Sequence, residues 1–183
     1  MRSGKNILAF AGSTSSQSIN KQLVTYAAGL IRNARVHITD LNDYPLPLFS
    51  VDLEKEGYPE HAIRFAELMN SNDAYLISLA EHNGSYTAAF KNLFDWVSRI
   101  EPKVFGEKPV LLLSTSPGAR GGAGVMEAAR SRFPRHGGRI IGHFSLPSFN
   151  ENFNPVNGLS DPYRAELEKV VGVFDEEMAL PLA

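Results

Sequence analysis

Residues 6–20, NILAFAGSTSSQSIN, constrain the fold more than any other stretch, because an uncharged run stops abruptly at a loop of glycine, hydroxyls and amides. Ile7, Leu8, Ala9 and Phe10 are continuous and apolar, as expected of a strand buried on both faces of a parallel sheet. Beyond the loop the period changes, and Leu23, Ala27, Leu30 and Ile31 recur at helical spacing. Gly12 to Asn20 therefore joins a strand end to a helix start. The first N–H groups of a helix have no partner within it, and Ser13, Ser15, Ser16 and Ser18 add hydroxyls around the same point, which makes a nest for an anion. The loop has neither the Gly-Lys-Ser/Thr ending of a nucleoside-triphosphate loop nor a GxGxxG dinucleotide fingerprint, which leaves a small terminal phosphate. Serines here also suit simple helix capping, so the loop alone leaves both readings open.

The same alternation repeats down the chain. Ala34–Thr39 reads as a second strand, and Pro45 and Pro47 then predict a long loop without regular structure. Pro59 opens a helix carrying Ile63, Ala66, Leu68 and Met69. Asp73–Ala80 is a third strand, and Glu81–Ser85 a loop before an amphipathic helix with Phe90, Leu93, Phe94 and Val97 on one side. Pro109–Ser114 is a fourth strand that feeds TSPGARGGAG and a helix, Arg139–Phe144 a fifth, and Tyr163–Met178 a last helix after an irregular stretch rich in Asn, Pro and Phe. Strands alternating with helices imply a parallel sheet covered on both faces. Five of them predict a flavodoxin-like three-layer α/β sandwich with strand order 2-1-3-4-5. Ligands of such sheets sit outside the carboxyl ends of the strands, where Gly12–Asn20, Glu81–Ser85 and Ser114–Gly122 all emerge, so the three loops are expected to share one site.

Composition narrows the chemistry. A chain of 183 residues with no repeat or low-complexity linker is expected to form one domain, 1–183. With 18 basic and 20 acidic residues there is no electrostatic footprint for nucleic acid. The absence of cysteine excludes disulfides, thiolate-held clusters and a dithiol relay, so any redox chemistry needs a bound cofactor. No apolar run approaches the roughly 20 residues that cross a membrane, and the basic start Met1–Lys5 followed by a short apolar segment reads as a strand rather than a signal peptide. A cytoplasmic protein without membrane contact is expected.

These residues resemble the NAD(P)H-dependent FMN reductases, a flavodoxin-like family that also includes bacterial azo, quinone and chromate reductases. The family's phosphate loop is usually Gly-Ser-x-Arg-x-x-Ser-x-Asn, and Gly12, Ser13, Ser18 and Asn20 occupy matching positions. Its second signature, Pro-Glu-Tyr-Asn-x-Ser followed by Leu-Lys-Asn-Ala-x-Asp-Trp, is similar to Ala80-Glu81-His82-Asn83-Gly84-Ser85 and to the later run in which Lys91, Asn92, Asp95 and Trp96 match. Ser116-Pro117-Gly118 with Gly121-Gly122, and Leu46-Pro47-Leu48, resemble two further family segments, so the likeness covers nearly the whole chain.

The resemblance implies FMN as cofactor and NADPH or NADH as donor, with hydride passing to flavin N5 and electrons then leaving to a small acceptor such as a quinone, azo compound, chromate or free flavin. It implies that Ser13, Ser15, Ser16, Ser18, Ile19 and Asn20 grip the phosphate, that Glu81, His82, Asn83 and Gly84 line the isoalloxazine, and that Ser116 and Gly118 approach its pyrimidine edge. It also implies a homodimer or tetramer in which the helix of Phe94 and Trp96 helps form the interface. The flavin does the chemistry, so no catalytic side chain is named. The alternative is a flavodoxin-like electron carrier or a non-catalytic flavin- or anion-binding module. Two departures matter: Ser15 stands where arginine is usual, removing a charge-assisted contact, and His82 replaces a tyrosine beside the ring. Arg120 is a candidate for steering a nicotinamide nucleotide's phosphate. His37, His61, His136 and His143 show no metal-ligand spacing, and no metal site is expected.

Overall fold

A computed structural model describes residues 4–180. Met1, Arg2 and Ser3 of the basic start, and 181–183, lie outside the described residues. Five strands, β1 (Asn6–Ala11), β2 (Arg35–Ile38), β3 (Ala74–His82), β5 (Pro109–Thr115) and β6 (Arg139–Leu146), form a parallel sheet in the order β2-β1-β3-β5-β6. Counted without the two-residue strand β4 (Ser85–Tyr86), which pairs antiparallel with the end of β3, this is the expected 2-1-3-4-5 order. Burial follows position: β3 and β5 are buried almost throughout, whereas edge strand β2 has no fully buried residue. Continuous apolar runs are thus the mark of the central strands, because both of their faces are covered.

Helices α1 (Ile19–Leu30) and α7 (Tyr163–Ala179) cover one face, packing Leu23, Val24, Ala27, Val171 and Phe174 against Ile7, Ala9, Leu76 and Leu113. Helices α3 (Glu60–Asn70), α4 (Ala88–Ile100) and α5 (Ala123–Arg132) cover the other, where Phe65, Phe90, Phe94 and Val125 meet Leu8, Phe10, Ile77 and Leu112. Phe133, fully buried, is the hub of this second core: its ring lies 4.5 Å from Phe105, 5.7 Å from Phe94 and 6.1 Å from Phe90.

Three sequence readings are corrected. The proline-rich segment is not wholly irregular: Asp40 caps a 3₁₀ turn at Leu41–Asp43, and Ser50 caps a short helix, α2 (Val51–Glu56), by accepting from the Leu53 N–H at 3.2 Å. The Pro45–Phe49 segment is held instead by α4, where Trp96 Nε1 and Asn92 Nδ2 donate to the Pro47 carbonyl at 2.8 and 3.0 Å. Glu81–Ser85 is not a free loop, because β3 runs on to His82 and turns through Asn83 and Gly84 into β4. The stretch before the last helix contains a short helix, α6 (Phe149–Asn152), and a small hairpin of β7 (Phe153–Asn154) and β8 (Gly158–Leu159).

Truncating the aromatic hub as Phe133→Ala is expected to lower stability by about 3–5 kcal/mol, the usual cost of removing a fully buried phenyl ring, as a leftward shift of the urea unfolding midpoint.

Candidate functional site

Strand register brings the carboxyl ends of β1, β3, β5 and β6 level, with Ala11 beside Ser78, Ala80 beside Thr115 and Thr115 beside Leu146. The loops at 12–18, 82–85 and 116–122 therefore leave one edge of the sheet. Gly12 starts the first: it is buried, its N–H donates to Ser78 O at 2.8 Å, and its carbonyl accepts from Thr87 Oγ1 at 2.8 Å. A Cβ at Gly12 would stand 3.2 Å from Leu79 Cδ2 and 3.4 Å from Phe90 Cβ, so a larger residue here would crowd both side chains.

The loop's hydroxyls organise the loop itself. Ser13 Oγ accepts from the Ser15 N–H, Ser15 Oγ from the Gln17 N–H, and Ser18 Oγ, at the N-cap of α1, from the Lys21 N–H, at 3.1–3.2 Å. A hydroxyl that accepts still has an O–H to donate. Ser13, Ser15 and Ser18 thus hold the loop's amides and keep donors for an anion, with exposed Ser16 beside them. The Ile19 and Asn20 amides, at the first helical positions, have no partner within α1 and lie at its positive end. The cation of this junction, Lys21, is paired with Asp40 and by that hydrogen bond holds the Asp40 carboxyl below its ordinary range.

Three residues expected to touch a cofactor point their side chains elsewhere. Asn20 is 2% exposed; its Nδ2 donates to Thr115 O at 3.1 Å, and its Oδ1 accepts from Ser78 Oγ at 2.8 Å and Thr115 N–H at 3.1 Å. It ties the helix start to β3 and β5 and offers a ligand only its amide. Glu81 Oε2 accepts the Val125 N–H at 2.7 Å, facing α5. The Ile19 side chain packs on the α1–α7 core.

His82, Asn83 and Gly84 form the exposed turn of the hairpin, with φ of 51° and 75° at Asn83 and Gly84, a left-handed pair that Asn-Gly supplies with least strain. Behind the turn, Tyr86 stacks 6.4 Å from Phe133, its buried hydroxyl without a hydrogen-bond partner and its pKa pushed up to about 12 by burial. In the third loop, Ser116 Oγ donates to Gly118 O at 3.2 Å, Gly118 is exposed with open space where a Cβ would project, and Arg120 is exposed. Sequence reading missed Thr87, although a threonine just before an apolar helical run is a capping signal. It also missed Asn42, whose Nδ2 holds the Thr14 carbonyl at 3.1 Å and whose side chain lines a cleft of about 350 Å³ with Tyr44, Leu46 and Leu93. No local signal marks that contact.

Residues 5–151 match the family model for NADPH-dependent FMN reductase. The chain belongs to that family. It is 32% identical over 118 residues to the NAD(P)H-dependent FMN reductase of Pseudomonas aeruginosa, covering 64% of this chain and 63% of that protein. It is 33% identical over 127 residues to a quinone reductase of Pseudomonas putida, covering 68% and 67%. The alignment with the Pseudomonas aeruginosa enzyme thus spans less than two thirds of that relative's length. Among solved structures, the flavoenzyme NAD(P)H:acceptor oxidoreductase FerB from Paracoccus denitrificans superposes with a TM-score of 0.76 at 25% identity, covering 95% of this chain and 97% of that one. A flavodoxin from Pseudomonas aeruginosa, at 15% identity and TM-score 0.57, shares the fold. The family is one of flavin oxidoreductases that use FMN and NAD(P)H.

Replacing Asn20 with Leu is expected to destabilise the protein by about 1–3 kcal/mol for each buried group left unpaired at Ser78 and Thr115. Asn20→Asp would set a buried carboxylate against the Thr115 carbonyl and raise that acid's folded-state pKa, so the folded state would bind more protons than the unfolded one. Its stability relative to the parent should fall as pH rises above about 4, read as the difference in urea midpoints between pH 4 and pH 8.

Proposed function

We propose that the protein, acting as a single domain over 1–183, is an NAD(P)H-dependent FMN oxidoreductase that reduces a small acceptor such as a quinone, azo compound, chromate or free flavin. The observation that carries this reading is the nest of amides and hydroxyls at the start of α1, set on the same sheet edge as a glycine turn. These residues fit a phosphate monoester joined to a flat ring. Ser13, Ser15, Ser16 and Ser18 with the Ile19 and Asn20 amides would hold the phosphate, the backbone of Glu81 with His82, Asn83 and Gly84 one side of the ring, and Ser116 and Gly118 its polar edge. FMN held there would supply the two-electron chemistry that links NADPH or NADH to the acceptor.

The chain's own part is to bind, orient and leave room. The helix start neutralises phosphate charge without a guanidinium. Small residues at Gly84 and Gly118 let backbone approach a ring closely. No side-chain acid or base is required, and Glu81, occupied by the Val125 amide, is not placed to serve as one. A cytoplasmic site of action follows from the supply of reduced nicotinamide nucleotide. An oligomer is supported by exposed Leu48, Val51 and Tyr58, which lie along a segment held on α4 through Pro47–Trp96 and Tyr58–Arg99 hydrogen bonds. Among the described residues no helix is long and apolar enough to cross a membrane.

Purified protein saturated with FMN should stay yellow through gel filtration, and NADPH in a stopped-flow mixer should bleach it, with ping-pong steady-state kinetics. A colourless protein would sink the flavin assignment, and a flavin that NADPH leaves oxidised would make the protein a carrier. Ser15→Arg, restoring a charge-assisted contact worth about 1.5–3 kcal/mol, should tighten FMN by roughly 10- to 100-fold in a fluorescence titration. Leu48→Asp should reduce the sedimenting mass of an oligomer towards that of one chain.

A further inference from the structure

Helix α5 begins in an unusual way. Its N-cap is Gly122, left-handed at φ 78°, which makes no side-chain capping bond. The carboxylate that serves its first turn comes from another element: Glu81, at the end of β3, accepts the Val125 N–H at 2.7 Å. A negative group at a helix's positive end is favourable, and Gly122, left-handed and with only 3.0 Å between an added Cβ and Ser114 Cβ, leaves no room for a capping side chain of its own. What the distant glutamate adds is a tie. It stands at the base of the hairpin, opposite Tyr86 in the β3–β4 ladder, and one residue before the turn His82–Ser85.

A second contact shows how closely the pieces are seated. A Cβ placed on Gly124 would lie 2.7 Å from Glu81 Oε2 and 2.9 Å from the Gly84 carbonyl oxygen. The turn therefore rests directly on the backbone of the first turn of α5. The loop that precedes α5 is pinned from the other side: Ser114 Oγ donates to Gly121 O at 2.8 Å, and a Cβ on Gly121 would lie 2.8 Å from the Leu146 carbonyl carbon.

We propose that Glu81 is a positioning residue that clamps the His82–Ser85 turn to the start of α5, so that this turn and the Ser116–Gly122 loop form one rigid frame for the flavin ring. The flavin clause rests on the function proposed above; the clamp does not. Gly124 is the matching half, kept without a side chain so that the carboxylate and the Gly84 carbonyl can seat.

Three variants test the clamp. Glu81→Ala removes it, Glu81→Gln keeps an acceptor oxygen in place, and Gly124→Ala pushes the turn away from the α5 side while improving helix propensity. In flavin-free protein, hydrogen exchange at 82–85 and at Val125 should accelerate in Glu81→Ala, the turn amides should accelerate in Gly124→Ala, and Glu81→Gln should stay close to the parent. In protein titrated with FMN, Glu81→Ala and Gly124→Ala should bind roughly 2- to 30-fold more weakly, the range for residues that couple through a packed network, with an altered visible circular dichroism of the bound ring. If Glu81→Ala lowers the melting temperature but leaves exchange at 82–85 at the parent rate, the residue is a helix cap only and the clamp is overturned. Should Glu81→Ala fail to fold, Gly124→Ala decides the same point, with unchanged turn exchange as the overturning result. Accelerated exchange in the two variants of a parent protein that itself binds no FMN would sink the function and leave the clamp standing, whereas accelerated exchange in the variants with unchanged FMN affinity and dichroism would overturn the frame.

Discussion

The site depends on one buried amide. Asn20 sits where a helix start, β3 and β5 converge, and its donor and acceptor answer three groups that would otherwise be unpaired away from water. In a low-dielectric interior each such bond matters more for the penalty of its absence than for its own strength. The same network extends through Thr115 Oγ1 to the Leu146 carbonyl, so three neighbouring strand ends and the α1 start are held in fixed register. An anion nest is useful only if its amides are already aimed, and Asn20 aims them from behind.

The chemistry in front of that anchor follows from how hydroxyls divide their capacity. Ser13, Ser15 and Ser18 each accept a bond from the loop's own backbone, which shapes the loop and leaves their protons directed elsewhere. Lys21 is withdrawn to Asp40, so the loop and the helix start present dipoles rather than a formal cation. At the opposite side of the edge the polarity is reversed: a carboxylate from β3 answers the Val125 amide in the first turn of α5. At the starts of α1, α4 and α5 the side chains that cap, Ser18, Thr87 and Glu81, come from the loops and strand ends of this same edge.

Much of the architecture was legible because burial on two faces writes itself as continuous apolar runs, and Ile7–Phe10 and Val110–Leu113 show it plainly. The Asn83-Gly84 turn was legible too, since few residue pairs accept two left-handed conformations in succession. The extension of β3 to His82 was not, because Glu81 and His82 carry no strand signal and pair only with Ser85–Tyr86. Helix α2 was obscured by the prolines just before it, although Ser50 is a recognisable cap.

The residue types at the site, the glycine, serines and amides that can surround a phosphate and a flat ring, and the order in which they leave the sheet, were determined by the sequence alone. Which way each side chain turns was decided only by tertiary structure. Asn20 and Glu81 both read as ligand contacts in a linear motif, yet their partners, Thr115 and Val125, lie 95 and 44 residues away. Local spacing reports on helix and strand faces, whereas a buried polar group takes whichever partner the packed fold sets within reach, because leaving it unpaired costs more than any local preference.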